Sequence, residues 1–521
     1  MNRLSRWIRS RVGRQALLLA VLVAVSFFAN LGGAPLFDED EGAYAEVTRE
    51  MLASGDFITP RLNGQVFFHK PPLIYWVQAA STAVLGFNEA ALRLPSALAS
   101  LAWVLVLFRF ARRYAGQSTA WYAAVFLVSG LQSGLIAKAA IADALLNLFV
   151  TLTCFEIFHF FRCGRRRHIF GAYGFMALGV LAKGPIAVVI PLVASGGFFL
   201  WEKRFKDWLK AVFHPGGWLL FLSVAVPWYA ALYRIHGEAF IQEIFFTQNV
   251  DRFRVAFEGH GGSLLYYVPV VILGMMPHTA YLLRVMGGLR RMLRRDVNRF
   301  GLIWFVFVFV FFSVAGTKLH HYVVYGYPPL FLFMAQSVGR VNKRLAVSAW
   351  PIGFTAALCL LPLVIWVVIP RITDEFARLV VAGVAADIRP DYILVTVLAL
   401  GAFGALAAVR RVSRPLFVWG NAMVFVLLVN GYVIPLVGSV MQSPIKEAAA
   451  IARNRALPVV MWQMTYHSFG VYRGAIVENR TPRVGEVVIT KVNKLESVAR
   501  HEVIYEKNGI VMTRILSFKE K

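Results

Sequence analysis

Four consecutive acidic residues, Asp38, Glu39, Asp40 and Glu41, follow the first apolar stretch of the chain. Good helix formers continue after them to Leu52, with apolar residues near i, i+4 and i+8 spacing, which predicts an amphipathic helix lying on a membrane. Asp40 and Glu41 fall at or before its first turn, where the helix dipole keeps carboxylates ionised. Such carboxylates can accept a proton, orient an acceptor or hold a cation, and helix capping is the alternative.

Three lysines supply the opposite charge. Lys70 lies in HKPP, Lys183 in LAKGPIA between two apolar runs, and Lys318 in TKLHHYVVY at the end of another apolar run. A phosphate at membrane depth requires cationic partners because dielectric screening is weak there. Together they predict an anion site, with lysines that extend from helix ends to the interface as the alternative.

Several other polar residues stand beside apolar runs. His260, His320 and His321 have no HExxH or similar spacing, so hydrogen-bonding histidines are favoured over metal ligands and no metal site is predicted. Asp143, in AKAAIADALL, is expected to contact a polar substrate or to stand at a helix end as an acid without a further role.

The composition indicates the elements that must position these residues. The chain has 521 residues, of which 58% are hydrophobic, and a formal net charge of +26. This combination predicts a polytopic membrane protein. The basic residues cluster between apolar runs, so membrane topology explains the charge and no nucleic-acid partner is expected. The three cysteines lack CxxC spacing, and neither GxxxxGK[ST] nor GxGxxG occurs, which disfavours a zinc site and nucleotide-driven transport.

About thirteen apolar stretches are candidates for membrane spans. They run near 16–33, 90–108, 117–135, 139–161, 168–182, 184–201, 216–234, 264–283, 301–316, 322–338, 346–369, 391–409 and 415–437. If 71–87 is a re-entrant or interfacial helix, the basic loops all fall on the side of the N-terminal arginines, as the positive-inside rule requires. The candidate residues then share the outer face, which predicts a common polar cavity there. These residues are Asp38 to Glu41, His69, Lys70, Lys138, Asp143, Lys183, Asp251, Arg252, His260, Lys318, His320, His321 and Tyr322.

The predicted organisation is a transmembrane domain over 1–440, with a first outer loop at 34–89, and a C-terminal α/β domain over 441–521. Ser443-Pro444 is typical of a helix start. Four short β-like runs follow, LPVVMWQM, EVVITKV, HEVIYEK and GIVMTRIL, and Asn508-Gly509 between the last two indicates a hairpin.

Five motifs in order resemble the lipid A aminoarabinose transferases and their relatives in the protein O-mannosyltransferase-like superfamily. They are FDEDEGAYAEVTREMLASGDFITPRLNG, FFHKPPLIYW, LAKGP, YYVPVVILG and FFSVAGTKLHHYVVYGYPPL. The resemblance covers about residues 1–440 and implies a C-type glycosyltransferase: many transmembrane helices, juxtamembrane helices in the first outer loop, a periplasmic active site and a small C-terminal soluble domain. The implied reaction moves a sugar from a polyprenyl-phosphate donor to an outer-leaflet acceptor.

The resemblance also implies roles for individual residues. Asp40 and Glu41 correspond to the catalytic acidic pair, and Asp143 to the acid after the third span. His69, Asp143 and His260 are predicted to bind substrate. Donor-phosphate binding falls to Lys70, Lys183, Lys318 and Tyr322. The aminoarabinose enzymes carry Arg, Glu and a second Lys where this chain has Ala43, His69 and Gly316.

These observations leave alternatives. The acceptor is expected to be lipid A or a related envelope glycolipid, with a protein or another glycan as alternatives, and in-line displacement predicts inversion at the anomeric carbon. No cofactor is assigned, although a divalent cation between the acids and the phosphate is an alternative. A flippase for lipid-linked sugars and a non-catalytic envelope scaffold are the other function classes. The expected location is a bacterial inner membrane, with a cytoplasmic N-terminus and a periplasmic C-terminal domain.

Overall fold

The computed structural model describes residues 10–254, 261–341, 343–388, 390–409 and 411–519. Helices α1 to α12, in chain order, are Arg11–Val23, Asp40–Ser54, Leu73–Leu85, Glu89–Ala115, Gln117–Ser129, Leu131–Ala137, Asp143–Cys163, Arg166–Lys183, Ile186–Trp201, Phe205–Val212, Pro215–His236 and Glu238–Ile241. Helices α13 to α26 are Arg252–Arg254, Tyr267–Gly274, Thr279–Met286, Leu289–Met292, Asp296–Val314, Tyr327–Ser337, Arg344–Cys359, Leu361–Val368, Glu375–Asp387, Pro390–Ala408, Arg414–Leu428, Ile434–Met441, Ser443–Asn454 and His467–Arg473. Strands β1 to β6 are Arg61–Leu62, Gln65–Val66, Val459–Met461, Val487–Lys491, Val498–Lys507 and Ile510–Phe518.

Within these ranges, six helices are long and apolar enough to cross a membrane, and up to eight if each of two bent pairs counts as one span. The six are α4, α7, α11, α17, α22 and the continuous segment Arg414–Met441. The bent pairs are α5 with α6, at 66°, and α19 with α20 and the turn that follows it, at 45°. The chain is therefore a polytopic helical membrane protein, as its composition predicted.

The number of long helices is smaller than the thirteen predicted apolar stretches because breaks divide several of them. The stretch 264–283 is split into α14 and α15 around Met276-Pro277, and 322–338 begins as a 3-10 turn over His320–Gly326. Proline cannot donate the backbone hydrogen bond that would continue a helix. An apolar run in the sequence therefore does not guarantee one uninterrupted helix.

Helix α3 occupies the stretch for which the sequence predicted a re-entrant or interfacial helix. It has 13 residues, which correspond to a length of about 20 Å. The hydrocarbon core of a bilayer is about 30 Å thick, so α3 is too short to cross it upright.

The helices run between two ends of the bundle, which we name by their residues. The acidic end contains Asp40, Asp143 and Lys183, and the basic end contains Arg113 and Arg162. Helix α7 connects the two ends, because Asp143 begins it and Arg162 stands in its last turn. Polar residues that are distant in sequence therefore meet at the acidic end.

The C-terminal part forms a mixed four-stranded sheet in the order β3-β4-β6-β5, with β3 parallel to β4 and the other neighbours antiparallel. Asn508 and Gly509, with φ of 50° and 78°, form the two-residue turn between β5 and β6, as hairpin turns of this kind require. One face of the sheet packs on α25 through Val487, Ile489 and Ile445. The predicted small α/β domain is confirmed.

Candidate functional site

The centre of the acidic end is a buried ion pair between Asp143 and Lys183. Lys183 Nζ donates to both carboxylate oxygens of Asp143 at 2.7 Å. The hydroxyl of Tyr325 donates to Asp143 Oδ1, and Nε2 of His321 lies 3.7 Å from the same oxygen. The Asp143 side chain is only 1% exposed. This arrangement holds a cation in a fixed position at membrane depth.

Local backbone geometry places Lys183 at this point. It is the last residue of α8, and Gly184 ends the helix with φ of 83°, a conformation that favours glycine. Pro185 then precedes the first turn of α9. The Lys183 ammonium lies 5.2 Å from the ring centroid of Tyr322 and 5.8 Å from that of Tyr325, distances at which cation–π attraction contributes.

Asp40 is the first residue of α2. It follows Glu39, whose φ is 78°, and its own side chain is half-buried. Its charge acts on Lys183, His320 and His321, so the carboxylate shares one electrostatic environment with the ion pair. The acidic end therefore combines a partly accessible carboxylate with a fixed cation.

Glu41, the residue directly after Asp40, is in a different environment. Its carboxylate makes a bidentate ion pair with Arg93, with both N–O distances at 2.8 Å. The backbone N–H groups of Phe37 and Ala140 each donate to it at 2.7 Å. With four hydrogen bonds from three partners and 4% exposure, Glu41 holds α2 against α4 and the segment before α7. Its contacts support a positioning role; the catalytic role stays a prediction.

Helix α2 itself is not the surface helix that the sequence predicted. Ten of its fifteen residues are buried, because it lies between the bundle and α26. The predicted amphipathic pattern is thus wrong as a sign of a membrane-surface helix, and both faces of α2 pack on protein.

A cavity of about 360 Å³ opens beside Lys183. One part is cationic and polar, with Lys70, Lys183, Arg254, Thr317 and Tyr322. The rest is apolar and is lined by Ile186, Val189, Phe253, Phe311 and Phe312. A cavity with cations at one end and hydrocarbon surface at the other fits a lipid with an anionic head.

The remaining predicted site residues are distributed around this centre. Lys318 is buried and its Nζ donates to the carbonyl of Ala315 at 2.7 Å, and it does not line the cavity. His69 lies 3.6 Å from Glu243, and His260 lies outside the described residues. Among the residues that the structure describes, no three metal-ligating side chains form a group that could hold a metal ion.

Sequence reasoning missed several participants. Arg93 stands among apolar residues of the first half of α4, far from the arginines at the other end of that helix, a pattern that indicates a buried ion pair. The hydroxyls of Tyr44 and Tyr75 and Nε2 of His321 are buried without a hydrogen-bond partner in the described part of the chain. Buried polar atoms are rarely unpaired, and the charge of Asp40 acts on all three side chains. These atoms are therefore available to a ligand.

The sequence is similar to known proteins over much of its length. Residues 69–230 match the family model described as dolichyl-phosphate-mannose-protein mannosyltransferase. The undecaprenyl phosphate-alpha-4-amino-4-deoxy-L-arabinose arabinosyl transferase of Shewanella sediminis (strain HAW-EB3) is 29% identical over 61% of this chain and 60% of its own length. That of Edwardsiella ictaluri (strain 93-146) is 31% identical over 62% of this chain and 59% of its length. The aligned part thus spans about three fifths of these relatives.

The fold is also known. The crystal structure of ArnT from Cupriavidus metallidurans bound to undecaprenyl phosphate matches with a TM-score of 0.80 at 21% identity, covering 97% of this chain and 98% of that chain. The apo crystal structure of the same protein gives a TM-score of 0.79. The chain therefore has the ArnT fold, and the resemblance to the ArnT-like and protein-mannosyltransferase-like membrane glycosyltransferases that its motifs predicted is confirmed.

Proposed function

We propose that the protein is a membrane glycosyltransferase that moves a sugar from a polyprenyl-phosphate donor to an acceptor at the outer membrane face. The observation that carries this proposal is the cavity with a cationic end and an apolar remainder beside the Asp143–Lys183 pair. The names of the arabinosyl transferase relatives, which include an undecaprenyl phosphate sugar, support the same donor class.

The donor phosphate belongs at the cationic end of the cavity. Lys70, Lys183 and Arg254 would bind it, while Ile186, Val189 and the phenylalanines pack against the polyprenyl chain. When the bond between the anomeric carbon and the phosphate oxygen breaks, its electron pair stays on the phosphate. Fixed cations stabilise that growing negative charge without reorganising.

The acceptor approaches from the side of Asp40. If its nucleophile is a hydroxyl, Asp40 takes the proton as the hydroxyl oxygen bonds to the anomeric carbon. If it is an already ionised phosphate, no proton is removed, and the carboxylate orients the acceptor or stabilises positive charge developing on the sugar. Attack in line with the leaving phosphate inverts the anomeric configuration. Tyr44 and Tyr75 are placed to donate to sugar or acceptor oxygens.

The acceptor is proposed to be lipid A or a related envelope glycolipid, and the location a bacterial inner membrane with the acidic end facing the periplasm. A protein hydroxyl is the second candidate acceptor, because residues 69–230 match a protein mannosyltransferase family. A flippase for lipid-linked sugars needs a cationic cavity too, but the polar residues of this cavity gather at one end of the bundle.

The test is sugar transfer by the purified full-length protein, reconstituted with a panel of radiolabelled polyprenyl-phosphate sugars. Lipid A and a Ser/Thr-rich periplasmic protein extract are supplied as separate acceptors. We expect Asp40→Asn and Lys183→Ala to reduce transfer at least about 100-fold, since each removes a group that acts on the reacting atoms. Glu39→Gln, which neutralises the exposed adjacent acid, is the matched control and should transfer at the wild-type rate.

The outcomes separate the hypotheses. Label that reaches only the protein extract would move the acceptor to protein. Label that crosses the bilayer without any transfer would establish a flippase and reject the enzyme. If the Asp40→Asn variant transferred sugar at the wild-type rate, Asp40 would have no catalytic role and would only cap its helix.

A further inference from the structure

A second polar cavity, of about 630 Å³, lies at the basic end of the bundle. It is formed where α4, α7 and α9 end and where α17 begins. Six arginines line it: Arg113, Arg162, Arg204, Arg294, Arg295 and Arg299. This concentration of guanidinium groups in one concave site exceeds what scattered interfacial arginines would produce.

The arginines are only partly neutralised. The two acids in the lining are already paired, Asp296 with Arg162 at 2.5 Å and Glu202 with Arg299. Arg204 bonds Asp207 at 2.9 Å. Six guanidinium groups thus face two carboxylates inside the cavity.

Arg294 and Arg295 account for much of the positive charge that the lining carboxylates leave uncompensated. Both side chains are exposed, and neither has a side-chain hydrogen bond or ion pair within the described ranges. They stand in the turn just before α17, so their guanidinium groups can turn into the cavity without breaking an existing contact. The cavity therefore offers unpaired, bidentate hydrogen-bond donors to an anion.

This cavity is separate from the candidate active site. Asp143 and Arg162 stand near opposite ends of α7, and nineteen residues of helix separate them by about 28 Å. A ligand in the arginine cavity therefore cannot contact the Asp143–Lys183 pair, and its binding does not depend on the proposed transfer reaction.

An apolar cavity of about 160 Å³ is built from the same segments. Phe160 of α7, Phe199 of α9 and Trp208 of α10 line it, whereas Phe161, Glu202 and Arg204, which lie one to four residues away, line the arginine cavity. Its surface is almost entirely carbon. An anionic site and an apolar site on the same three segments match the two parts of a phospholipid.

Helix α10 places both cavities at a membrane interface. Its apolar Phe205 and Leu209 are exposed, while Lys206 and Lys210 supply positive charge on the same short helix. Helices of this kind lie in the plane of the interface and attract anionic lipids.

We infer that the arginine cavity binds the phosphate of an anionic ligand, and that this ligand is an anionic phospholipid whose acyl chain enters the apolar cavity. Guanidinium groups bind phosphate oxygens in pairs, and the lipid supplies the charge that the two lining carboxylates do not. The lipid would join the ends of α4, α7, α9 and α17.

The test measures bound lipid by native mass spectrometry of the full chain, with dioleoylphosphatidylglycerol compared with dioleoylphosphatidylcholine. We expect retention of phosphatidylglycerol by the wild type. Arg294→Gln/Arg295→Gln should weaken its binding about tenfold, because two charge-assisted contacts are lost. Arg290→Gln/Arg291→Gln removes the same charge from the same basic segment without touching the cavity lining and should bind normally.

Two further arms identify the source of the phosphate. Leu192→Trp fills part of the apolar cavity and should weaken lipid binding while leaving binding of sn-glycerol 3-phosphate unchanged. If glycerol 3-phosphate saturates the site as tightly as the lipid does, the anion site stands and its ligand is a free phosphate ester. Equal loss in both arginine pairs, or no loss in either, would overturn the inference, because only the general positive charge of this face would then attract lipid.

Discussion

Neighbouring carboxylates at the start of α2 differ in environment, and the difference separates their roles. Asp40 is half-buried and shares the electrostatic field of Lys183, whereas Glu41 is enclosed by Arg93 and two backbone donors. A group with all its acceptor positions occupied cannot take a proton from a substrate without first losing a partner. We therefore expect Glu41 to position Asp40, and Asp40 to do the chemistry that the proposal requires.

Substitution of Glu41 tests this division at the level of folding. Glu41→Gln leaves Arg93 as an uncompensated buried charge, so we expect the free energy of unfolding to fall by about 3 to 5 kcal/mol. Asp40→Asn, at a half-buried position without a direct ion pair, should stay within about 0.5 kcal/mol of the wild type. Thermal unfolding of the purified proteins measures both. Wild-type stability of Glu41→Gln combined with lost transfer would return Glu41 to catalysis.

The sequence located most of the acidic end but not its pairings. Acids and lysines beside apolar runs predicted a shared polar cavity, because charged groups near a membrane must face water or each other. The partners of each residue depend on which helices are neighbours, and that information is tertiary. Arg93, Arg254 and the Tyr325 hydroxyl were therefore missed, and Lys183 was expected to bind phosphate without the prediction that Asp143 holds it.

At the scale of elements, the segment before α2 is attached to the C-terminal helix α26. The backbone N–H of Ser468 donates to Asp38 Oδ1 at 2.8 Å, and its hydroxyl donates to Oδ2. Tyr472 donates to Glu89 at 3.0 Å and accepts from the N–H of Leu36 at 2.7 Å. These contacts fix the entry to α2, and thereby Asp40, against the C-terminal domain.

The junction is expected to respond to pH through Asp38. Removal from water raises the pKa of Asp38 from 3.8 to about 7; the hydrogen bonds from Ser468 oppose the rise, and the charges of Glu41 and Glu39 add to it. Between about pH 4 and pH 7 the folded protein then binds a proton that the unfolded chain does not. This contribution to stability is fully present below about pH 4, declines as the pH rises from 4 to 7, and is lost above pH 7.

Asp38→Asn imitates the protonated carboxyl and should therefore be the more stable protein at high pH only. We expect its unfolding temperature to approach that of the wild type near pH 4 and to exceed it increasingly up to pH 8, by an amount that corresponds to roughly 2 kcal/mol at pH 8. Glu502→Gln, at an exposed acid of the C-terminal domain, should differ from the wild type by the same small amount at every pH. A flat Asp38→Asn difference across pH would mean that this carboxyl does not titrate in the junction.

Prediction of the elements succeeded where the signal was local. The Asn508-Gly509 hairpin and the Ser443-Pro444 helix start depend on a few adjacent residues, and both are present. Fewer continuous long helices are present than the thirteen predicted apolar stretches, because hydropathy does not register a break such as that around Met276-Pro277 between α14 and α15. The burial of α2 was missed because its second face packs on residues more than 400 positions away.

At the scale of the molecule, the two ends of the bundle differ in charge and in chemistry. The acidic end holds the proposed transfer site and contacts the C-terminal helix α26, and the basic end holds the arginine cavity. Basic residues favour the cytoplasmic side of a membrane, so the many arginines and lysines together are expected to orient the bundle with its basic end in the cytoplasm. The same orientation then determines on which side of the membrane each cavity opens.

Native and introduced cysteines can test that orientation. Cys163 is exposed at the basic end, whereas Cys154 is buried and Cys359 is partly buried. We expect a membrane-impermeant maleimide to label Cys163 in inverted vesicles but not in spheroplasts. In a Cys163→Ser/Cys359→Ser background, Glu502→Cys in the C-terminal domain should give the opposite result. Labelling of both positions from one side would contradict a bundle with two opposed ends. Reversal of both patterns would place Asp40 and the donor cavity in the cytoplasm, where a periplasmic acceptor could not reach them.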